Sequence, residues 1–284
     1  MLSLISKVAL VSDSSAGIGH ETALVLSRNG YYTYAGIRDV TLARELSRVA
    51  KEEKLPLRIV QLDVNSDSSV NLGVKTVLKE QNRVDLLVNN LGYILLGCFE
   101  DISMDEMKAQ FETNFYGTVR TAQAVLPVMR KHRSGIIINI SSIAGTIGFP
   151  VFSAFVSSQF AVEGLSESMR FELEPFGIHV SIIEAGMVRI TNFPNSMVIA
   201  NNAKKSSSPY SKITRKLTGN IEQMIEMGIS PEEEVAYTFL KAVQSKPPLP
   251  RYLVGNDAAM ITENRKSMTD IEFEKFLKNT ILNA

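Results

Sequence analysis

The sequence predicts one α/β domain, built on a doubly wound parallel sheet with helices on both faces. Short apolar runs alternate with segments of helical periodicity along most of the chain. A glycine-containing turn also follows the first apolar run and opens the first helical segment. The 284 residues suit a single domain, since α/β domains often exceed about 150 residues. We therefore expect one domain over residues 1–284.

The order of elements follows from the periodicity. The apolar runs interpreted as strands are residues 8–11, 32–37, 57–62, 86–88, 136–140, 180–183 and 251–254. The segments interpreted as helices are residues 19–28, 42–53, 68–80, 104–130, 154–174 and 232–244. A terminal amphipathic helix is predicted over residues 268–280, where apolar residues recur at helical spacing.

Residues 187–230 interrupt the alternation of strands and helices. The segment is polar, with weak periodicity and a run of serines ending at Pro209. Long excursions of this kind inside a compact domain usually form functional loops. We expect a substrate loop or lid here, and no second domain.

Composition limits the classes of function. The formal net charge is zero, so no basic surface for nucleic acid is expected. Cys98 is the only cysteine, which excludes an intramolecular disulfide and favours a reducing, cytoplasmic location.

Two further classes are disfavoured by short patterns. The apolar run at residues 7–11 is too short to span a membrane, so we expect no membrane span. His20, His132 and His179 are scattered without the spacing of metal ligands, so we expect no metal.

The turn after the first strand has features of a phosphate-binding loop. Gly17 and Gly19 stand where a helix begins, which lets the backbone approach an anion at the positive end of the helix. Asp13 precedes them in the same turn, and aspartate tolerates a left-handed backbone better than most residues but less well than glycine. Its negative charge would repel an anionic ligand, so binding should be weakened.

Several motifs together resemble the short-chain dehydrogenase/reductase family, a group with a Rossmann-type fold. They are Asn89-Asn90-Leu91-Gly92, Ile140-Ser141-Ser142, and the segment Phe155-Val156-Ser157-Ser158-Gln159-Phe160-Ala161-Val162-Glu163-Gly164. The resemblance covers residues 7–191 and extends more loosely beyond. The tract after Glu163 is similar to the branch that contains hydroxysteroid, retinol and carbonyl reductases.

The resemblance implies a catalytic tetrad of Asn, Ser, Tyr and Lys. Asn114 and Ser142 match the first two positions, whereas Phe155 stands at the Tyr position and Gln159 at the Lys position. Without the phenol there is no general acid, whose loss typically removes a factor of about 10²–10⁴ in rate. Without the ammonium there is no charge to lower a phenol's pKa. Dehydrogenase chemistry by the family mechanism is therefore not expected.

The resemblance also implies a set of cofactor-binding positions. They are Ser12, Ser14, Ser15, Gly17, Ile18, Gly19, Arg38, Asp63, Val64, Asn90, Gly92, Gln159, Gly186 and Val188.

The residues after the second strand predict which cofactor is bound. Ile37 occupies the place of the acid that holds a ribose in NAD-binding members, and Arg38 follows it, which favours NADP(H). Asp39 is an alternative ribose ligand. Two further departures lie near the nicotinamide in the family: Ala185 replaces a proline, and Thr191 falls one residue late.

Two hypotheses about function remain open from the sequence. In the first, the chain is a weak or inactive dehydrogenase that binds NADP(H), a small apolar ligand or a paralogue. In the second, it is an active NADP(H)-dependent oxidoreductase of carbonyl or alcohol substrates with another proton donor, for which Tyr93 and Tyr116 are the candidates. The family resemblance also implies a homodimer or homotetramer.

Overall fold

The computed structural model describes residues 6–189, 197–226 and 230–282. The strands are β1 (Val8–Val11), β2 (Tyr32–Ile37), β3 (Leu57–Gln61), β4 (Leu86–Asn89), β5 (Ile94–Leu96), β6 (Gly135–Ser142), β7 (Ile178–Ala185), β8 (Val188–Arg189), β9 (Met197–Ile199), β10 (Ser230–Pro231) and β11 (Arg251–Val254). The helices are α1 (Gly17–Arg28), α2 (Arg44–Glu52), α3 (Asp67–Gln81), α4 (Met104–Phe111), α5 (Gly117–His132), α6 (Ser153–Leu173), α7 (Ser211–Glu226), α8 (Glu232–Gln244), α9 (Asn256–Ser267) and α10 (Asp270–Leu277).

Seven strands form one parallel sheet in the order β3-β2-β1-β4-β6-β7-β11. The chain first builds outward from β1 to β3, then returns to β4 and builds outward to β11. This reversal leaves a crevice at the carboxyl ends of β1 and β4, where open α/β sheets bind their ligands. The predicted fold class is confirmed, and each predicted strand lies in this sheet.

Helices cover both faces because each central strand is apolar on both sides. Ala9 and Val11 enter one core, together with Phe239 of α8. Val8 and Leu10 enter the opposite core, together with Met129 of α5. Side chains alternate along a strand, so a continuous apolar run such as β1 buries both faces.

One predicted helix is broken. Residues 104–130 were expected to form a single helix, but a π turn at Glu112–Tyr116 separates α4 from α5. Asn114 lies in this turn, and its amide bonds the backbone of Tyr93 beside β5. Such π turns often occur at functional sites, because they redirect one side chain.

The expectation of a loop over residues 187–230 is corrected in part. Residues 211–226 form α7, whose Leu217 and Ile221 are buried one turn apart. This helix was missed because polar residues dominate its sequence and its apolar stripe is short. Thr191 and the remainder of residues 190–196 and 227–229 lie outside the described residues.

The C-terminal region holds more helix than predicted. Residues 268–280 were expected to be helical, and α10 covers Asp270–Leu277, opened by a capping box of Thr269 and Glu272. The preceding helix α9 was not predicted, since its apolar residues show little helical periodicity. Among the described residues, no helix combines the length and the apolar character needed to cross a membrane.

Candidate active site

A cavity of about 930 Å³ opens at the carboxyl ends of the sheet strands. It extends from the turn after β1, through the ends of β6 and β7, to the C-terminal helices. The predicted site residues that line it are Ser15, Gly17, Ile18, Arg38, Asp63, Val64, Asn90, Gly92, Ser142, Phe155, Gln159, Gly186 and Val188. One cavity thus unites most of the residues that the motifs predicted.

Ser12 and Ser14 do not line the cavity. Their hydroxyls form hydrogen bonds that support the turn after β1. Both are fully buried. The Ser12 hydroxyl donates to the Val88 carbonyl at 3.2 Å and accepts from the Asn90 amide at 3.1 Å. The Ser14 hydroxyl donates to the Val11 carbonyl at 2.9 Å. These two serines therefore fix the turn against β1 and β4.

The turn has the backbone of an anion site. Gly17 has φ +63°, and α1 begins at this residue, so its first backbone N–H groups face the cavity. Gly19 lies just behind the cavity wall, where a Cβ would come within 2.3 Å of the Asp13 carbonyl oxygen. Glycine is required at both positions for this shape.

Asp13 adopts the left-handed backbone that the sequence suggested, with φ +49°. Its side chain is exposed and lines the cavity. Desolvation raises the pKa of the Asp13 carboxyl, and the positive charge of Arg38 opposes that rise. A carboxyl therefore lies in the part of the cavity next to the N-terminus of α1, and its negative charge makes that part less suited to an anion.

Arg38 lies at the outer end of the cavity. Its guanidinium is exposed, and among the described residues no carboxylate pairs with it within 4.0 Å. Ile37 before it is buried. Asp39 accepts hydrogen bonds from the Thr41 amide at 3.0 Å and the Thr41 hydroxyl at 2.7 Å, which lower the pKa of Asp39. Arg38 is thus available to a ligand, whereas Asp39 is occupied in capping the next turn.

Three of the four tetrad positions line the cavity, and the fourth lies behind it. Ser142 reaches the cavity at the end of β6, and its oxygen accepts from the Ala144 amide at 3.2 Å. Phe155 and Gln159 follow on α6. Asn114 is buried, and its amide donates to Ser158 Oγ at 3.1 Å. Of these four predicted positions, Phe155 and Gln159 therefore bring neither an acid nor a cation to the cavity.

Gln159 carries a polar atom without a partner. Its side chain is only 3% exposed, and among the described residues nothing hydrogen-bonds its Oε1. Buried polar atoms in proteins are nearly always paired, so an unpaired acceptor in a cavity wall calls for a ligand donor. A ribose hydroxyl is such a donor.

The other half of the cavity is apolar and was not predicted from the sequence. Phe149, Phe152 and Phe155 form a row along one wall, with ring centroids 6.5 and 6.3 Å apart. The remaining apolar lining comes from Ile94, Met187, Leu217, Ile221, Met260, Ile261, Phe276 and Leu277. These residues come from elements far apart in the chain, several of them from segments that periodicity did not identify as helices, so no local pattern brings them together.

Neither candidate replacement for the catalytic acid has a suitable environment. Tyr93 lines the cavity, but its ring packs with Leu95 and Ala200, and burial together with Glu106 raises the pKa of its phenol. Tyr116 is 48% exposed and does not line the cavity. The geometry therefore does not favour either phenol as a proton donor to the cavity.

Behind Ser141, two buried carboxylates share one guanidinium. Arg251 lies 3.0 Å from Glu163 and 2.7 Å from Glu184. Arg251 also pairs at 2.7 Å with Glu167, whose side chain is exposed. Burial raises the pKa values of Glu163 and Glu184, because one cation only partly offsets the desolvation of two acids.

The cavity fits a nicotinamide dinucleotide in shape and, with one exception, in chemistry. The helix terminus at Gly17, the unpaired Gln159 acceptor and the free Arg38 suit a pyrophosphate, a ribose and a phosphate. Asp13 is the exception. Among the described residues, no group of three or more acidic, histidine or cysteine side chains could hold a metal ion.

Comparison with known proteins shows which family the chain resembles. The short chain dehydrogenase family matches residues 7–202. The chain is 32% identical over 277 residues to the uncharacterized oxidoreductase YusZ of Bacillus subtilis, covering 97% of this chain and 98% of the relative. It is 34% identical over 261 residues to retinol dehydrogenase 8 of Bos taurus, covering 86% and 80%. A short-chain dehydrogenase structure from Streptomyces avermitilis has a TM-score of 0.83 at 27% identity, covering 97% and 98%.

The chain therefore belongs to the short-chain dehydrogenase family. The resemblance inferred from the motifs is confirmed.

Proposed function

We propose that this protein acts by binding, with little or no dehydrogenase turnover, and that its ligands are NADP(H) and a small apolar molecule. The observation that carries the proposal is the pair Phe155 and Gln159, which line the cavity where the family has its acid and its cation. Ser142 beside them offers a hydroxyl but no ionisable proton of suitable pKa.

Residues at the carboxyl ends of β1, β2 and β4 would hold the dinucleotide. The N-terminus of α1 at Gly17 would bind the pyrophosphate, Arg38 the 2′-phosphate, and the Gln159 amide oxygen a ribose hydroxyl. A bound nicotinamide supplies hydride. The chain's own residues would position a ligand beside it, but Phe155 and Gln159 provide no general acid to give a carbonyl oxygen its proton.

The apolar half of the cavity supports a neutral ligand of small to medium size. The phenylalanine row offers flat surfaces, and the aliphatic wall opposite would exclude water. The name of the relative retinol dehydrogenase 8 points to an apolar alcohol or aldehyde as a ligand class.

Self-association and pairing with a paralogue belong to the same proposal. Phe160 and Phe171 on α6 are 46% and 75% exposed, and Tyr116 of the π turn is 48% exposed. Exposed aromatic residues on one side of a helix suit a subunit interface, and we propose a homodimer or homotetramer in the cytoplasm.

A calorimetric titration with NADPH and NADH tests the nucleotide part of the proposal. We expect weak binding of NADPH and weaker binding of NADH, with no ketone, aldehyde or secondary alcohol turned over. If neither nucleotide binds, the cavity serves another ligand and this part of the proposal fails.

A further inference from the structure

The carboxylate of Asp257 lies in a slot between two glycines. Gly186 follows β7 and Gly255 follows β11, and these strands are parallel neighbours with Ala185 opposite Val254. A Cβ at Gly186 would lie 2.3 Å from Asp257 Oδ1, and a Cβ at Gly255 would lie 2.5 Å from the same oxygen. Both positions therefore need glycine to leave room for the Asp257 carboxylate.

The other oxygen of Asp257 holds the turn beyond β7. Its Oδ2 accepts a hydrogen bond from the Met187 backbone N–H at 2.6 Å, a short distance typical of a charge-assisted bond. Gly186 and Met187 both line the cavity. Asp257 thus fixes part of the cavity wall from a position 70 residues further along the chain.

Asp257 also stands at the start of the C-terminal helix pair, α9 and α10. This pair supplies apolar residues to the cavity wall: Met260, Ile261, Phe276 and Leu277. The buried residues of the two helices are only Ala258 in α9 and Phe273 in α10. The hydrogen bond from the Met187 N–H to Asp257 ties the start of this pair to the turn after β7.

We propose that Asp257 is a positioning residue that holds the C-terminal helix pair closed over the apolar half of the cavity, and thereby retains the ligand there. The inference rests on the proposed apolar ligand. It also gives Gly186 a second role: this glycine, matched to the cofactor site by resemblance, makes room for the Asp257 carboxylate.

The first test compares variants at residue 257 with N-phenyl-1-naphthylamine, a neutral fluorescent probe. Asp257→Ala should release the probe about 10- to 100-fold faster, as expected for the loss of a charge-assisted hydrogen bond. Asp257→Asn keeps the size and an acceptor for the Met187 N–H, so it should restore most of the retention. Glu263→Ala removes an exposed carboxylate from the same helix and should release the probe at the wild-type rate.

The second test uses the slot itself. The atoms nearest to a Cβ at Gly186 all belong to the Asp257 carboxyl group. Gly186→Ala should therefore displace the carboxylate and speed probe release as much as Asp257→Ala does. The double variant should be no faster than either single variant. Additive effects would show that the two residues act separately, and would overturn the inference.

Hydrogen exchange separates this inference from the proposed function. Asp257→Ala should speed exchange within residues 256–282 and leave exchange in residues 8–11 unchanged. If wild type fails to bind the probe while exchange in 256–282 rises in the variant, the apolar-ligand proposal fails and the positioning role stands. If exchange in 256–282 is unchanged, the positioning role is wrong, whatever the probe does.

Discussion

Phe155 and Gln159 lie one helical turn apart on α6, and both face the same cavity. Residues four apart share a helix face, so the two side chains contribute to the same stretch of the cavity wall. At neutral pH neither side chain can act as a Brønsted acid or hold a positive charge. At these two positions the cavity wall therefore offers neither an acid nor a cation.

Replacing Asp13 by glycine should strengthen dinucleotide binding. Two unit charges about 4 Å apart repel by roughly 1 kcal/mol in water and about 4 kcal/mol at an effective dielectric constant of 20. We therefore expect Asp13→Gly to lower the Kd for NADPH by about 10-fold or more in calorimetric titration.

Asp13→Asn separates the effect of removing the charge from the effect of relaxing the backbone. Asparagine tolerates the left-handed backbone of this residue, with φ +49°, but removes the charge. It should recover most of the gain if repulsion dominates. Unchanged affinity in both variants would show that Asp13 does not face the nucleotide.

Replacing Arg38 by alanine should remove the preference for NADPH. A charge-assisted hydrogen bond to phosphate contributes about 1.5–3 kcal/mol, so NADPH affinity should fall by about 10- to 100-fold while NADH affinity stays constant. Arg48→Ala removes an exposed arginine on α2 that already pairs with Glu45 and Glu52, and should change neither affinity. A variant that still prefers NADPH would exclude Arg38 as the phosphate ligand.

The buried acids near Arg251 should make stability depend on pH. Because the folded state raises the pKa values of Glu163 and Glu184, it binds protons more tightly than the unfolded chain. Their contribution to stability is full below the ordinary carboxyl pKa, near pH 4.5, and is lost as pH rises through the folded values. The thermal midpoint should therefore fall as pH rises above the ordinary carboxyl pKa.

A single substitution checks the assignment. Glu184→Gln removes one of the two buried charges, so it should flatten this fall in the thermal midpoint. Glu167→Gln changes the exposed partner of the same arginine, 58% exposed, and should leave the slope nearly unchanged. Equal slopes in wild type and Glu184→Gln would rule out the buried acids as the source.

The fold was predictable because its strands are buried on both faces. Runs such as β1 are apolar throughout, and the turn with Gly17 directly follows this strand. The part of the cavity next to the N-terminus of α1 was also predictable. Its residues directly follow strands, so locating the strands in the sequence locates them too.

The apolar half and its closure were not predictable. The Asp257 carboxylate meets Gly186 only after β7 and β11 pair, and no local pattern records a contact over 70 residues. The π turn at Asn114 was also missed, because periodicity continues through residues 104–130 without a break. Both depend on tertiary contacts that local sequence does not express.

We propose above that this protein keeps the frame of a dehydrogenase without its acid and its cation. The direct test measures carbonyl reduction with saturating NADPH by wild type and by the double variant Phe155→Tyr/Gln159→Lys. An ammonium beside the new phenol would lower its pKa, so the double variant should gain measurable turnover and each single variant should not. Wild type should be inert. A wild-type turnover of about 1 s⁻¹ or more would contradict the claim.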